Sequence, residues 1–67
     1  MIRLRVKEVA KEKGMSQGMV SRNCNINLNT VRAMFRNPDN NITLDTLNRL
    51  AHGLGVHPCD LLEYIPD

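Results

Sequence analysis

Three polar residues in this 67-residue chain are each flanked by apolar residues in the same arrangement. Ser16, Asn27 and Thr43 each directly follow one apolar residue and precede another by four positions. The side chain of Ser, Asn or Thr at an N-cap accepts a hydrogen bond from the first turn of a helix, and the two flanking apolar residues pack together as a hydrophobic staple. The flanking pairs are Met15 with Val20, Ile26 with Val31, and Ile42 with Leu47. The repeated arrangement therefore predicts three helix starts.

Apolar spacing and turn residues delimit the first three helices. A first helix is predicted over residues 2–13, because apolar residues recur on one face of it, and Gly14 is a typical left-handed helix end. That apolar face consists of Ile2, Val6, Val9 and Ala10. The second helix has about two turns and ends near Cys24. The third runs from about Asn27 to Arg36, stops before the turn-forming segment NPDNN, and has buried residues predicted at Val31, Met34 and Phe35.

The last third of the chain predicts two more helices. A fourth helix covers residues 43–55 and ends on Gly55, with its buried residues predicted at Leu44, Leu47, Leu50, Ala51 and Leu54. Pro58 suits the first position of a fifth helix over residues 58–65, in which Leu61, Leu62 and Ile65 face inward. No segment is predicted as a strand. We therefore expect one all-α domain of five helices over residues 1–67.

The composition restricts the class of protein. The chain is 42% apolar but has one Tyr, one Phe and no Trp, so its core is expected to consist of aliphatic side chains from short helices. It has no apolar run near the roughly 20 residues of a membrane-spanning helix, and no segment that resembles a signal peptide. We expect a soluble cytoplasmic protein with no membrane partner, in which Cys24 and Cys59 are reduced.

Catalysis and metal binding are not expected. Cys24, His52, His57 and Cys59 are possible zinc ligands, but they form no CxxC pair or other tight spacing. Packing thiols and partly exposed histidines explain these residues better. Neither histidine has a paired nucleophile or a carboxylate arrangement beside it, and the chain has no phosphate-binding loop. We therefore expect no enzymatic activity, no metal and no cofactor.

The charges are distributed unevenly along the chain. Residues 13–38 contain no Asp or Glu and carry a charge of +4, whereas the remainder carries −2. Segregated basic charge suits a surface that meets a polyanion, because basic groups near phosphates release counterions and acidic groups there repel. A solvated face explains four basic residues equally well, so the charge alone leaves both interpretations open.

The short connection between the second and third predicted helices is the most informative feature for function. About three residues, Cys24 to Ile26, join them, so the two helices cross as in a helix-turn-helix. That arrangement needs a small residue at the crossing, a residue tolerant of positive φ in the turn, and apolar anchors beyond it. These needs are met, in order, by Ser21, Asn25, Ile26, Val31 and Met34. The chain resembles the Cro and phage-repressor (XRE) family from Ile2 to about Leu62. The resemblance lies in these turn residues, in the first-helix segment IRLRVKEVAKEKG, in Gln17 and in the tail TLDTLNRLAHGLGVHPCDLL.

The resemblance implies a compact, five-helix lambda-repressor-like domain that binds DNA. Three positions depart from the family pattern: Ser21 stands where members usually have Ala, Asn25 where they have Gly, and Phe35 at or near a position where they often have Glu. Asn is the best substitute for Gly in a left-handed turn, and Ser is small enough for the crossing. What Phe35 packs against stays open.

Residue roles follow from the resemblance and from groove geometry. The third helix is expected to enter the major groove of an operator, where the candidate base contacts are Asn27, Leu28, Asn29, Arg32, Ala33 and Arg36. Leu28 is expected to be exposed and to touch a thymine methyl group. Gln17, at the N-terminus of the second helix, is expected to bind a backbone phosphate. The other candidate phosphate contacts are Arg22, Thr30, Asn37, Asn40 and Asn41, of which the asparagines are equally explained as turn formers.

The expected function is sequence-specific binding of double-stranded DNA by a repressor that acts as a two-fold homodimer, in solution or only on DNA. Candidate dimer contacts are His57, Leu61, Tyr64 and Ile65, although Leu61 is better explained as a core residue. Arg3 and Arg5 could form a basic N-terminal arm, but the surface of the first helix explains them better. Two alternatives remain: an antitoxin that represses its own operon and binds a toxin, and a helix-turn-helix module that binds only proteins. The acid-free segment and the Asn- and Arg-rich third helix favour DNA.

Overall fold

The computed structural model describes residues 1–39 and 41–66. Within these residues the chain forms four α-helices, and its two ends meet in a small antiparallel sheet. In chain order the elements are β1 (Ile2–Leu4), α1 (Val6–Glu12), α2 (Gln17–Cys24), α3 (Leu28–Arg36), α4 (Leu44–Leu54), a 3-10 helix (Pro58–Leu61) and β2 (Leu62–Tyr64). The mainly helical fold is as predicted, whereas the count of five helices is not confirmed.

The local helix signals of the sequence are present in the structure. Ser16, Asn27 and Thr43 are N-caps whose side-chain oxygens accept hydrogen bonds from main-chain N–H groups of the first turn, at 3.3, 2.8 and 3.1 Å. The flanking apolar residues all belong to the core or pack against it. The predicted left-handed residues are also confirmed, with φ of 68°, 55° and 69° at Gly14, Asn25 and Gly55.

The two ends of the chain pair as strands, so the prediction of a chain without strands is wrong. β1 and β2 run antiparallel, with Ile2 opposite Tyr64 and Leu4 opposite Leu62. The alternation of apolar and charged residues from Ile2 to Arg5 fits the two-residue period of a strand as well as it fits a helix. Pairing decides between the two, because it gives the main-chain groups of both ends hydrogen-bond partners. The first helix consequently begins at Val6, and the fifth is replaced by a 3-10 helix and a strand.

Aliphatic side chains from every helix form the core. The buried residues are Leu4, Val6, Val9, Ala10, Val20, Cys24, Val31, Met34, Leu50, Ala51, Leu54 and Leu61. Phe35, whose packing the sequence left open, lies partly buried against this cluster. Leu44 was predicted to be buried but is 84% exposed, and Ile65 is 37% exposed. Leu44 is the first residue of α4, and the cluster reaches along this helix only as far as the half-buried Leu47.

α4 crosses the C-terminal end of α2 at Gly53. A Cβ atom at this position would lie 2.8 Å from the carbonyl oxygen of Asn23 and 2.8 Å from the Cα of Cys24, and it would also collide with the Cys24 sulfur. Contacts this short require the backbone to move. The missing side chain of Gly53 therefore sets the separation of α2 and α4, and with it the position of α2 on the core.

Replacing Gly53 by alanine is expected to lower the free energy of unfolding by about 1–2 kcal/mol, because overpacking at the crossing outweighs the gain in helix propensity. Urea denaturation followed by circular dichroism measures the change. The matched control is Gly18→Ala, because a Cβ at Gly18 meets no atom closer than the Ser16 hydroxyl at 3.9 Å. That control is expected to be neutral or stabilising by up to ~1 kcal/mol, and equal destabilisation of both variants would contradict the packing argument.

Candidate nucleic-acid interface

A short turn joins α2 to α3 and sets the angle between them. Asn25 closes α2 with a left-handed backbone, at φ 55° and ψ 50°. Its N–H group and that of Ile26 both donate to the carbonyl oxygen of Ser21. The hydroxyl of Ser21 in turn donates to the Ile26 carbonyl oxygen at 2.6 Å. The serine at this position therefore makes a hydrogen bond to the turn that an alanine lacks.

Arg49 of α4 binds the same turn, a role that the sequence analysis did not assign to it. Its guanidinium group donates to the Asn25 carbonyl oxygen at 3.2 Å and forms an ion pair with Asp45 at 3.1 Å. The spacing of four residues between Asp45 and Arg49 is typical of a helical ion pair and is visible in the sequence. The contact with Asn25 is not visible there, because it depends on how α4 packs against α2.

α3 has a buried face and an outward face. Val31 and Met34 lie in the core, at 0% and 1% exposure. Residues three or four positions apart share a helix face, so positions 28, 29, 32, 33 and 36 form one outward stripe that begins next to the N-cap. The structure thus brings the predicted base-contact residues together on one side of α3. The exposed ones are Asn27, Asn29, Arg32 and Arg36, and the half-buried ones are Leu28 and Ala33.

Two of these residues differ in detail from the expectation. Leu28 was predicted to be exposed but is half-buried. It is nevertheless not among the described apolar residues that pack against the core. Asn27 uses its side-chain oxygen to accept the hydrogen bond from the Asn29 N–H group at 2.8 Å. Its amide NH₂ group can therefore donate a hydrogen bond to another partner.

The predicted phosphate contacts lie at both ends of the two helices. Gln17 is the half-buried first residue of α2, Arg22 is exposed in its last turn, and Thr30 is exposed on α3. Asn37 and Asn41 are exposed in the loop after α3, while Asn40 lies outside the described residues. The side chain of Asn37 already accepts a hydrogen bond from the N–H group of the following Asp39 at 3.3 Å, which is the geometry of a turn former.

The charges around α2 and α3 are arranged as the sequence indicates. The acid-free segment, residues 13–38, contains α2, the turn and α3. Asp45, on the neighbouring α4, has its charge paired with Arg49. Arg3 and Arg5 lie elsewhere: Arg3 contacts Glu63 at 3.5 Å, and Arg5 donates to the Asp60 carbonyl oxygen at 3.4 Å. Both arginines therefore contact the C-terminal segment. They belong neither to a basic N-terminal arm nor to the surface of the first helix, the two positions expected from the sequence.

The other chemically active side chains have structural partners or lie apart. His57 caps the 3-10 helix, where its Nδ1 atom accepts from the Cys59 N–H group at 3.1 Å. Both cysteines are free thiols, Cys59 exposed and Cys24 buried, and burial raises the pKa of Cys24. In the part of the chain that the structure describes, no three potential metal ligands lie together.

A left-handed turn joins the crossed helices α2 and α3, and α4 follows them and closes the core. This arrangement has a known sequence pattern. The pattern of the Cro/C1-type HTH DNA-binding domain matches residues 5–67. The chain belongs to this family. Its α2 and α3 are the helix-turn-helix of a Cro/C1-type domain, so DNA is its partner, as the resemblance implied. Among curated proteins, none matches the chain.

The described helices of this Cro/C1-type domain are short. The longest of them in the described residues is α4, with 11 residues. None of the described helices has the length and apolar character needed to span a bilayer.

The turn of the Cro/C1-type domain gives a testable expectation for Ser21. Ser21→Ala is expected to lower the free energy of unfolding by about 0.5–1.5 kcal/mol, because the partly buried carbonyl group of Ile26 loses its hydrogen-bond donor. Thermal or urea unfolding measures this loss. Arg22→Ala is a suitable control, since Arg22 is the exposed neighbour on the same helix. If the two variants have the same stability as the parent, the Ser21 hydroxyl does not hold the turn.

Proposed function

We propose that this chain is a sequence-specific transcriptional regulator, acting as a repressor, that inserts α3 into the major groove of an operator. The observation that supports this most directly is the outward stripe of α3. It presents Asn29, Arg32 and Arg36 to solvent while Val31 and Met34 anchor the same helix in the core. An α-helix fits the major groove, and these side-chain types match the donor and acceptor patterns of base edges.

Each residue of the stripe has a distinct role in the proposal. Asn29, near the helix start, makes the bidentate pair with adenine, and Arg32 and Arg36 pair with guanine. The half-buried Leu28 and Ala33 supply apolar contacts to thymine methyl groups. Asn27 contributes through its free amide NH₂ group, because its oxygen caps α3.

Phosphate contacts on both sides of the groove set the orientation of α3 without reading the sequence. The N-terminus of α2 has main-chain N–H groups without helical partners, so Gln17 and these groups together bind one phosphate. Arg22, in the last turn of α2, and Thr30, on α3, are further phosphate contacts in the proposal. In the loop after α3 the candidates are Asn37, Asn40 and Asn41, beside the exposed Asp39. Because Asp39 repels phosphate, it reduces the electrostatic contribution of this loop.

A two-fold dimer fits the dimensions of the domain. The half-sites of a two-fold operator lie about 34–36 Å apart, one helical turn of DNA. The described domain measures 35 × 22 × 21 Å, so two copies that occupy successive major grooves on one side of DNA are close enough to touch. Covering an operator in this way is enough to exclude polymerase, so repression requires no further catalytic or ligand-binding site.

Selection of bound sequences from a random DNA pool tests the proposed function. We expect enrichment of a two-fold symmetric site whose affinity falls steeply with salt, because several phosphates are neutralised on binding. If nothing is enriched and any binding is sequence-blind, the regulator proposal fails. Stable capture of a toxin instead favours the antitoxin alternative.

Substitutions on α3 test the docking orientation. Asn29→Ala and Arg32→Ala are each expected to weaken binding to the selected site by ~1–3 kcal/mol and to relax specificity at one base pair. Fluorescence anisotropy with the selected site and with single-base variants measures both effects. Lys7→Ala is the control, because it removes a basic charge at an exposed position of α1 that belongs neither to the outward stripe nor to the predicted phosphate contacts. Unchanged affinity in both α3 variants would show that another face meets the bases.

Gln17→Ala is expected to behave differently from the α3 variants. Because a phosphate contact carries no sequence information, it should weaken binding to the selected site and to unrelated DNA by a similar factor. The same anisotropy titrations, repeated on a scrambled duplex, give this comparison. A loss confined to the selected site would assign Gln17 to base recognition.

A further inference from the structure

The small sheet has one charged face and one apolar face. Cross-strand partners in an antiparallel pair lie on the same face, and so do residues two apart on one strand. Ile2, Leu4, Leu62 and Tyr64 therefore share a face. The opposite face carries Arg3 and Glu63, whose side chains meet at 3.5 Å. On the apolar face Leu4 is 5% exposed, whereas Ile2 and Tyr64, at the outer end, are 62% and 71% exposed. The core covers only the inner half of this face.

A groove continues this apolar face toward the start of α4. It has a volume of about 280 Å³, and its apolar lining consists of Ile2, Leu4, Ile42, Leu44, Leu47 and Leu62. We call it the sheet groove. Leu44 stands at its rim with 84% of its surface exposed. Among the described residues, Asp39 is the one charged side chain that borders the groove.

The size and chemistry of the sheet groove favour an inserted side chain over a small-molecule ligand. Pockets for drug-sized ligands are usually about 300–1,000 Å³ and contain convergent polar groups that orient the ligand. The sheet groove is at the lower limit of that range, and its six aliphatic lining residues outnumber the three polar ones, Asp39, Asn41 and Thr43. A leucine side chain has the size and the polarity that fit such a depression.

The same surface carries both a projecting leucine and a groove that accepts one. In a two-fold dimer each copy uses the same patch. When that patch carries a projection beside a depression, the projection of each copy fills the depression of the other. We propose that two copies of this chain associate through the sheet groove, with Leu44 of each copy seated in the sheet groove of the other and Tyr64 and Ile2 packing around it. The proposal rests on the proposed function, because two-fold operator binding is what brings two copies together.

The exposed area indicates how strong this contact is. The uncovered parts of Ile2, Leu44 and Tyr64 amount to roughly 400 Å², if a whole side chain of this kind contributes ~200 Å². A standard specific interface uses ~800 Å² per partner, and smaller ones are transient. The dimer is therefore weak in solution and is completed on DNA, where two adjacent half-sites raise the effective concentration of the second copy.

The position of the sheet groove agrees with this use. Its lining includes Asp39 and Asn41, which belong to the loop that follows α3. A contact between copies at the sheet groove therefore lies within a few residues of the C-terminal end of α3 and outside the stripe that the proposed function places in the major groove. Of the dimer contacts expected from the sequence, Tyr64 is retained and Leu61 is excluded, because Leu61 is 0% exposed in the core.

Leu44→Asp tests the proposal with little risk to the fold. Leu44 is mostly exposed, and an acidic residue is favourable in the first turn of a helix. Cys59→Asp is the matched control: it introduces the same charge at an exposed position in the first turn of the 3-10 helix, away from the sheet groove. Circular dichroism confirms that both variants are folded. Each protein is then examined by sedimentation equilibrium over about 10 µM to 1 mM and titrated on the selected full site and on its isolated half-site.

We expect the parent and Cys59→Asp to dimerise weakly and to bind the full site cooperatively. Leu44→Asp is expected to stay monomeric and to lose at least about tenfold in full-site affinity, while its half-site affinity matches that of Cys59→Asp. Dimerisation of Leu44→Asp equal to that of the parent overturns the proposal, and so does a monomeric parent that binds the full site without cooperativity. In that second case specific half-site binding still supports the proposed function. Loss of self-association in Leu44→Asp without specific DNA binding by any variant supports the surface and rejects the function.

Discussion

The hydrogen bonds of the turn between α2 and α3 determine where the outward stripe of α3 points. Asn25 adopts a left-handed backbone, and its N–H group and that of Ile26 converge on the carbonyl oxygen of Ser21. The Ser21 hydroxyl and the Arg49 guanidinium then bind the two carbonyl oxygens of the turn. Because these groups come from α2, the turn and α4, the direction of α3 is coupled to the packing of all three helices.

That packing is built from small and aliphatic side chains. Gly53 allows α4 to approach the backbone of α2 at Cys24, which a side chain would prevent. The two ends of the chain complete the core, where Leu4 of β1 and Leu61, directly before β2, are buried. A domain of this size buries a modest share of its surface, so each of these contacts contributes a large part of the net stability.

Two surfaces of different chemistry lie on either side of the loop after α3. The outward stripe is polar and basic and belongs to the acid-free segment, whereas the sheet groove is aliphatic and faces the start of α4. Polar side chains with fixed geometry suit base edges and phosphates. An uncovered aliphatic patch next to a groove suits another protein surface. The outward stripe and the apolar lining of the groove have no residue in common, whereas Asn41, in the loop, borders the groove and is also a candidate phosphate contact.

The sequence by itself determined the local features of this protein. The helix starts at Ser16, Asn27 and Thr43 and the left-handed turn at Asn25 depend on interactions within about five residues, which a sequence pattern contains. The order of polar and apolar residues also identified the outward stripe of α3. The exposure of Leu44, the contact of Arg49 with Asn25 and the pairing of the chain ends were decided by the tertiary structure. Arg3 and Glu63 are 60 positions apart, and the apolar pattern near each end fits a helix as well as a strand. Only the folded core brings the two ends together and leaves the start of α4 uncovered.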